Sequence, residues 1–139
     1  MCLAFPKFIL LQIITIWIYK KTIDTYQATY ELLVAMSKAI LSFAREYKYT
    51  FWERIINYTL DATAEVYLAK DAYWSNEKII HIDNALKSIA LLWVLWKTCW
   101  EIPNLSINVY TSQMENITTI SKQLRAWREY CGKNTDKNK

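Results

Sequence analysis

Glycine and proline are nearly absent from this chain of 139 residues, which contains one glycine and two prolines. These residues supply the tight turns on which all-β and α/β folds depend. With 53% apolar residues, the chain can form a hydrophobic core, but it has few of the turn residues that a β-sheet needs. This composition predicts an all-α protein. At this length one domain closes a single hydrophobic core without disulfides or metals.

Cysteine is also scarce, and its spacing excludes the common metal and disulfide frameworks. Cys2, Cys99 and Cys131 are an odd number with no CxxC or Cys/His spacing. Free thiols favour a reducing environment, so we expect a cytoplasmic protein with no metal and no cofactor.

Catalytic groups are equally few. The one histidine, His81, lies two residues before Asp83, and on a helix these two side chains point to different faces. The chain has no Gly-rich phosphate loop and no inward Glu-x-x-His motif of the kind that binds metals inside helical bundles. His81 is therefore expected at the surface or its boundary, and the protein is not expected to be an enzyme.

Apolar residues recur at steps of three and four along four segments, the spacing that lines one face of a helix. The first helix is predicted from about Thr25 to Phe43. The second begins at Thr50, which forms a capping box with Glu53. The predicted inward residues are Tyr26, Tyr30, Leu33, Ser37, Ile40 and Ala44, then Trp52, Ile55, Thr59, Ala62, Val66, Ala69 and Tyr73.

The third helix opens after Asn76 and is the most apolar of the four. Pro103 ends it, Ser106 caps the fourth helix, and the fourth runs from about Ile107 to Tyr130. The predicted inward residues are Ile79, Ile82, Leu86, Ile89, Trp93, Trp96 and Trp100, then Tyr110, Met114, Ile117, Ile120, Leu124, Trp127 and Cys131. Short connections between these helices predict an up-down-up-down four-helix bundle.

The predicted bundle occupies residues 29–131, between an apolar extension at 1–28 and a disordered polar tail at 132–139. Residues 8–19 form an apolar run that rises only about 18 Å as a helix, short of the roughly 30 Å hydrocarbon layer. Membrane binding is therefore not expected, although the run could still tether the protein to a membrane. It could also form an extra strand or helix packed on the bundle, or an extension without function.

The net positive charge of the protein comes from the ends of the chain, because residues 29–131 contain equal numbers of basic and acidic side chains. Any basic surface must therefore arise from arrangement. Lys122, Arg125 and Arg128, with Lys133 beyond them, share one face of the fourth helix. Arg45, Lys48 and Arg54 form a second group, which the predicted topology places at the opposite end of the bundle.

Two motifs resemble those of a known family. The segment 45–55, Arg-Glu-Tyr-Lys-Tyr-Thr-Phe-Trp-Glu-Arg-Ile, resembles the start of helix two in a family of four-helix-bundle proteins. The family comprises the accessory variability determinant (Avd) of diversity-generating retroelements and the proteins encoded in 23S rRNA intervening sequences. The segment 120–127, Ile-Ser-Lys-Gln-Leu-Arg-Ala-Trp, resembles its C-terminal motif.

The resemblance implies a non-catalytic accessory protein that assembles into a pentamer and binds a reverse transcriptase and RNA during mutagenic cDNA synthesis. Basic surface residues make the RNA contact in that family, which points to the seven cations named above. The surplus apolar face of helix three predicts an oligomer interface at Leu92, Leu95 and Trp96. A homo-oligomeric interaction module of the intervening-sequence type, which binds no nucleic acid, would account for the same features. Trp52 and Trp74, at helix ends, are further candidates for a contact surface.

Overall fold

The computed structural model describes residues 6–101 and 105–137, and within these ranges the chain contains four α-helices and no strand. The helices are α1 (Pro6–Ala39), α2 (Arg45–Asp71), α3 (Ser75–Thr98) and α4 (Ile107–Lys137), and short 3-10 helices at Ile40–Ser42 and Cys99–Glu101 follow α1 and α3. The predicted all-α class is confirmed. Pro103, expected to end the third helix, lies outside the described residues.

The helices form a bundle in which α1 packs on α2 and α4, and α3 packs on the same two helices. Contacts between α2 and α3 pair residues in opposite sequence order, since Glu65 meets His81 while Ala69 meets Lys78. The core takes its largest side chains from all four helices, namely Leu32, Met36, Ile55, Val66, Ile82, Ile89, Leu92, Trp96, Ile117, Ile120 and Leu124.

The buried face of α1 is not the predicted one. Of the expected inward residues only Ile40 is fully buried, and Tyr30 is exposed. The buried stripe instead contains Thr25, Thr29, Leu32, Met36, Ala39, Ile40 and Phe43. Thr29 is small enough to let α2 approach, so that its carbonyl accepts a 3.4 Å hydrogen bond from the Thr63 hydroxyl. The Thr29 hydroxyl donates to the Tyr26 carbonyl at 2.8 Å, so burial leaves it satisfied.

The capping box predicted at Thr50 is wrong, because α2 already begins at Arg45 after the extended residue Ala44. Thr50 lies in the second turn of α2, where its hydroxyl donates to the Glu46 carbonyl at 3.4 Å. The polar segment before Thr50 becomes helical because it carries Tyr47, whose partly buried ring stacks on Phe51 one turn later. This contact favours a helix that begins at Arg45, five residues before Thr50.

The α3 stripe also departs from prediction at two tryptophans. Ile82, Ile89 and Trp96 are buried as expected, but Trp93 and Trp100 are exposed because the stripe continues through Ala85, Leu92 and Cys99. Leu92 and Trp96, predicted at an oligomer interface, are buried inside the chain and offer no surface to a partner.

The α4 helix follows its predicted stripe most closely. Ile117, Ile120, Leu124 and Cys131 are all buried. Ser106 directly precedes the helix, and its carbonyl accepts the Tyr110 N–H at 3.0 Å. The helix ends at Lys137 rather than near Tyr130, so the polar tail predicted from residue 132 is helical as far as the end of the described residues.

Candidate nucleic-acid interface

A groove of about 550 Å³ runs between α3 and α4 on the outside of the bundle. We call it the α3/α4 groove, and it is lined by Leu86, Ile89, Ala90, Trp93 and Val94 from α3 and by Ile117, Thr118, Ser121, Lys122 and Arg125 from α4. The buried residues Ile89 and Ile117 form its floor. The groove exists because Ala90 and Ser121 are too small to fill the space between the helices.

Two of the predicted cations, Lys122 and Arg125, line this groove and are exposed. Among the residues that the structure describes, neither has a carboxylate within salt-bridge distance. Both charges are therefore available to an external anion. Arg125 can grip a phosphate with two parallel N–H donors, whereas Lys122 acts as a point charge.

Arg128 continues the same basic face, but its charge is already paired. Its Nε donates to Asp83 Oδ1 at 2.5 Å, and its Nη2 reaches Asp83 Oδ2 at 3.4 Å. The hydrogen bond to Asp83, followed by the attraction between the two charges, raises the pKa of Arg128. Lys133 is exposed two turns after the groove lining ends. Of the four α4 cations, the structure thus brings two into the groove, pairs one and leaves one apart.

An aromatic ring stands beside the free cations. Trp93, predicted in the core, has its side chain in the groove wall and is 39% exposed. Lys97 Nζ lies 5.0 Å from the Trp93 ring centroid, a cation–π contact that brings a third positive charge to this wall. Spacing in the sequence did not reveal this position, because residues 86, 93 and 100 recur at the same helical step as the buried residues 85, 92 and 99.

The second predicted group of cations is separate from the first. Arg45 and Arg54 are exposed and Lys48 is half-buried in the first turns of α2. Phe43, just before α2, stacks on Trp96 near the end of α3, whereas Arg128 reaches the start of α3. The two basic groups therefore lie towards opposite ends of α3.

Trp52 and Trp74, expected as candidates for a contact surface, are exposed. The inward position also predicted for Trp52 is wrong, and α2 starts about two turns before it. Trp52, in α2, and Trp74, just before α3, are both at least half exposed. Trp74 packs edge-on against Tyr73, with ring centroids 4.9 Å apart. About half of the Trp52 side chain is open to solvent.

The remaining reactive groups are a histidine–glutamate pair and two buried thiols, Cys99 and Cys131. His81 Nδ1 lies 2.7 Å from Glu65 Oε2, and this partly exposed pair joins α3 to α2. Spacing along the sequence did not reveal it, because the two residues face each other across helices. Burial raises the pKa of the Cys99 thiol to about 12, which keeps it protonated and weakly nucleophilic. In the described part of the chain, no three His, Cys, Asp or Glu side chains converge as metal ligands would.

Comparison of the chain with models of protein families, with curated proteins and with solved structures finds no match in any of the three.

Proposed function

We propose that the protein is a non-catalytic, RNA-binding accessory protein of a diversity-generating retroelement. The α3/α4 groove carries this function, because the free cations Lys122 and Arg125 stand beside the exposed ring of Trp93. Cations attract the phosphates of a nucleic acid, and an exposed indole offers a face on which an unpaired base stacks. The combination favours a single-stranded or looped RNA. The retroelement assignment rests on the resemblance of segments 45–55 and 120–127 to the Avd family.

The proposed scaffold for this site is an up-down-up-down four-helix bundle. Its support is the reversed order of contacts between neighbouring helices: on α3 and α4, Asp83 meets Arg128 while Trp96 meets Tyr110. The connections also suit antiparallel neighbours, since only Ala72, Tyr73 and Trp74 separate α2 from α3.

RNA binding is tested by titrating a labelled single-stranded RNA at two salt concentrations. Replacing Lys122 and Arg125 together by Glu removes both free groove cations. We expect the affinity to fall more than about tenfold and the salt slope to fall by roughly 0.7 for each lost phosphate contact.

The matched control replaces Lys38 and Lys87 by Glu, which makes the same change in net charge at exposed positions that do not line the groove. A small effect of this control locates binding at the groove. Equal losses in both variants would show general electrostatic attraction, and an unchanged affinity of the groove variant would refute the site.

Stacking is tested separately by Trp93→Leu. Removing the ring is expected to cost about 1–3 kcal/mol of binding free energy if one base stacks on it. The salt slope should stay the same, because no charge changes. An RNA affinity that Trp93→Leu leaves unchanged, with or without a lower salt slope, would show that no base stacks on Trp93.

Homo-oligomer formation and contact with a reverse transcriptase belong to the same proposal, through the family resemblance. Because Leu92 and Trp96 are buried, an interface on α3 would use the exposed residues Leu91 and Val94, with half-buried Leu95 beside them. Sedimentation of wild-type protein and of Leu91→Glu measures this directly. A monomer at every concentration would refute the oligomer.

The same exposed apolar residues favour a second candidate function, a homo-oligomeric interaction module that binds no nucleic acid. A stable oligomer that shows no salt-dependent RNA binding would support this module and refute the RNA-binding function. A salt-dependent RNA complex that Lys122 and Arg125 substitutions abolish would do the reverse.

A further inference from the structure

The first half of α1 extends beyond the end of α2, which packs on its second half. The carbonyl of Thr29 meets Thr63, and the ring of Tyr26 meets Tyr67 and Lys70 near the end of α2. Since α2 ends at Asp71, the residues of α1 that precede Tyr26 run past it, over a helix length of about 30 Å.

This extension is apolar and exposed in many directions. The exposed fractions of its large apolar side chains lie between 37% and 65%, and the residues are Ile9, Leu10, Leu11, Ile13, Ile14, Ile16 and Trp17. Successive helical residues are turned by about 100°, so Ile9, Leu10 and Leu11 point in three directions. Soluble proteins rarely expose so continuous an apolar surface. One partner helix or groove would cover a single side, whereas lipid hydrocarbon contacts such a helix all round.

The other long apolar helical segment, which includes α3, differs from the α1 extension because it is partly buried in the core. The segment Ser75–Glu101 is long and apolar enough to cross a membrane by length and composition, but it buries Ile82, Leu92 and Trp96 in the protein core. The α1 extension has no such burial among its described apolar side chains.

Two positively charged residues follow the apolar segment in the sequence, on its side nearer the bundle. Exposed Trp17 is followed in the sequence by Tyr19, Lys20 and Lys21. Tryptophan and tyrosine favour the membrane–water boundary, and adjacent lysines attract anionic headgroups. Residues 8–19 rise about 18 Å, against roughly 30 Å for the hydrocarbon layer, so this segment suffices to enter a bilayer but not to cross it.

The α4 helix adds positive charge at the same end of the bundle. Lys78 Nζ donates to the Ala69 carbonyl at the end of α2 and lies 6.0 Å from the Trp127 ring centroid of α4. The last turns of α4 therefore lie where α2 ends and the α1 extension leaves the bundle, and they carry exposed Lys133. An apolar helix that is followed in the sequence by two lysines, with exposed Lys133 near its exit from the bundle, suits an anionic bilayer surface.

We propose that residues 8–19 insert into an anionic lipid bilayer and hold the bundle at its surface. Membrane insertion differs from the sequence expectation, which relied on the shortness of the apolar run, because the large apolar side chains that the structure describes in that run are exposed. It is independent of RNA binding at the α3/α4 groove.

Vesicle flotation of the full chain tests the insertion, using phosphatidylcholine vesicles with and without phosphatidylserine. Wild-type protein should float with the anionic vesicles. Leu10→Asp with Ile13→Asp should lower the partition more than about tenfold, because Asp is strongly disfavoured within hydrocarbon. Lys20→Glu with Lys21→Glu should weaken binding to the anionic vesicles most.

The matched control is Leu41→Asp with Ile107→Asp, which removes two apolar side chains that are 74% and 62% exposed outside the extension. It should float like wild type. Circular dichroism checks that each variant keeps its helices. Wild-type protein that binds neither vesicle, or a Leu10/Ile13 variant that binds as wild type does, would overturn the proposal.

Two further outcomes would overturn the proposal as stated, the first through its anionic lipid and the second through the membrane itself. Equal binding to both vesicles would remove the role of anionic headgroups. A lipid-free oligomer that the Leu10/Ile13 substitutions dissociate, without vesicle binding by wild type, would assign the extension to a second copy of the chain.

Discussion

The indole Nε1 of Trp96 donates a hydrogen bond to the backbone carbonyl of Tyr110 at 3.1 Å, and the two rings stack with centroids 6.2 Å apart. Trp96 is fully buried, and Phe43 stacks on it at 6.1 Å. One side chain of α3 therefore joins the start of α4 to the chain segment between α1 and α2.

Trp96→Phe is expected to lower the free energy of unfolding by about 2 kcal/mol, through the lost hydrogen bond and the space left by the smaller ring. Urea unfolding measures this change. Trp52→Phe is the control, because Trp52 is half exposed, and it should change stability by less than about 0.5 kcal/mol. Similar effects of the two substitutions would refute the joining role of Trp96.

Asp83→Asn is expected to strengthen RNA binding while leaving stability almost unchanged. The Asp83–Arg128 pair is exposed on both sides, and exposed ion pairs contribute little to stability because solvent screens them. Removing the carboxylate charge frees Arg128 for a phosphate, which should raise the salt slope by roughly 0.7. The double variant Asp83→Asn, Arg128→Gln should lose that gain. An unchanged slope in the single variant would show that Arg128 lies outside the RNA contact.

The stability of the protein should fall at alkaline pH because of Cys99. Burial raises the folded-state pKa of this thiol to about 12, above its ordinary value of 9.0. The unfolded thiol therefore ionises first, so the stabilisation is complete below about pH 9 and is lost as the pH rises towards the folded-state pKa.

Urea unfolding at several pH values checks this prediction. Cys99→Ala should flatten the decline in unfolding free energy above about pH 9, whatever its effect on absolute stability. The buried thiol should also react with a thiol reagent only after unfolding. Equal pH slopes in wild type and variant would exclude Cys99 as the cause.

Gln123→Met is expected to raise the free energy of unfolding by about 1 kcal/mol. The buried Gln123 Oε1 has no hydrogen-bond partner among the described residues, and an unsatisfied buried acceptor is destabilising. Gln27→Met is the control, because Gln27 is exposed and donates to Glu31 at 3.1 Å. Thermal unfolding compares the two. Destabilisation by Gln123→Met alone would indicate that the amide is satisfied in solution.

Periodicity located the core where a helix has one apolar stripe. In α4, Ile117, Ile120 and Leu124 are buried as predicted. In α1 and α3 the apolar residues cover several faces, so spacing did not select the buried stripe, and the inward positions predicted for Tyr30 and Trp93 are wrong. The choice depends on which side chains the neighbouring helix can approach.

The sequence predicted the basic face of α4 but not the groove that two of its cations line. Helical spacing placed Lys122, Arg125 and Arg128 together. It did not show that Asp83 would pair with Arg128, or that Trp93 would join the remaining cations, because those contacts cross from one helix to another.

The sequence by itself determined the helical class, the four main helical segments and the cationic face of α4, since composition and periodicity act within single segments. Only the tertiary structure decided which stripes of α1 and α3 are buried, which cations remain unpaired, and that the large apolar side chains described at the start of α1 are exposed. Burial and charge pairing depend on neighbours distant in the chain, so they are decided only when the helices pack.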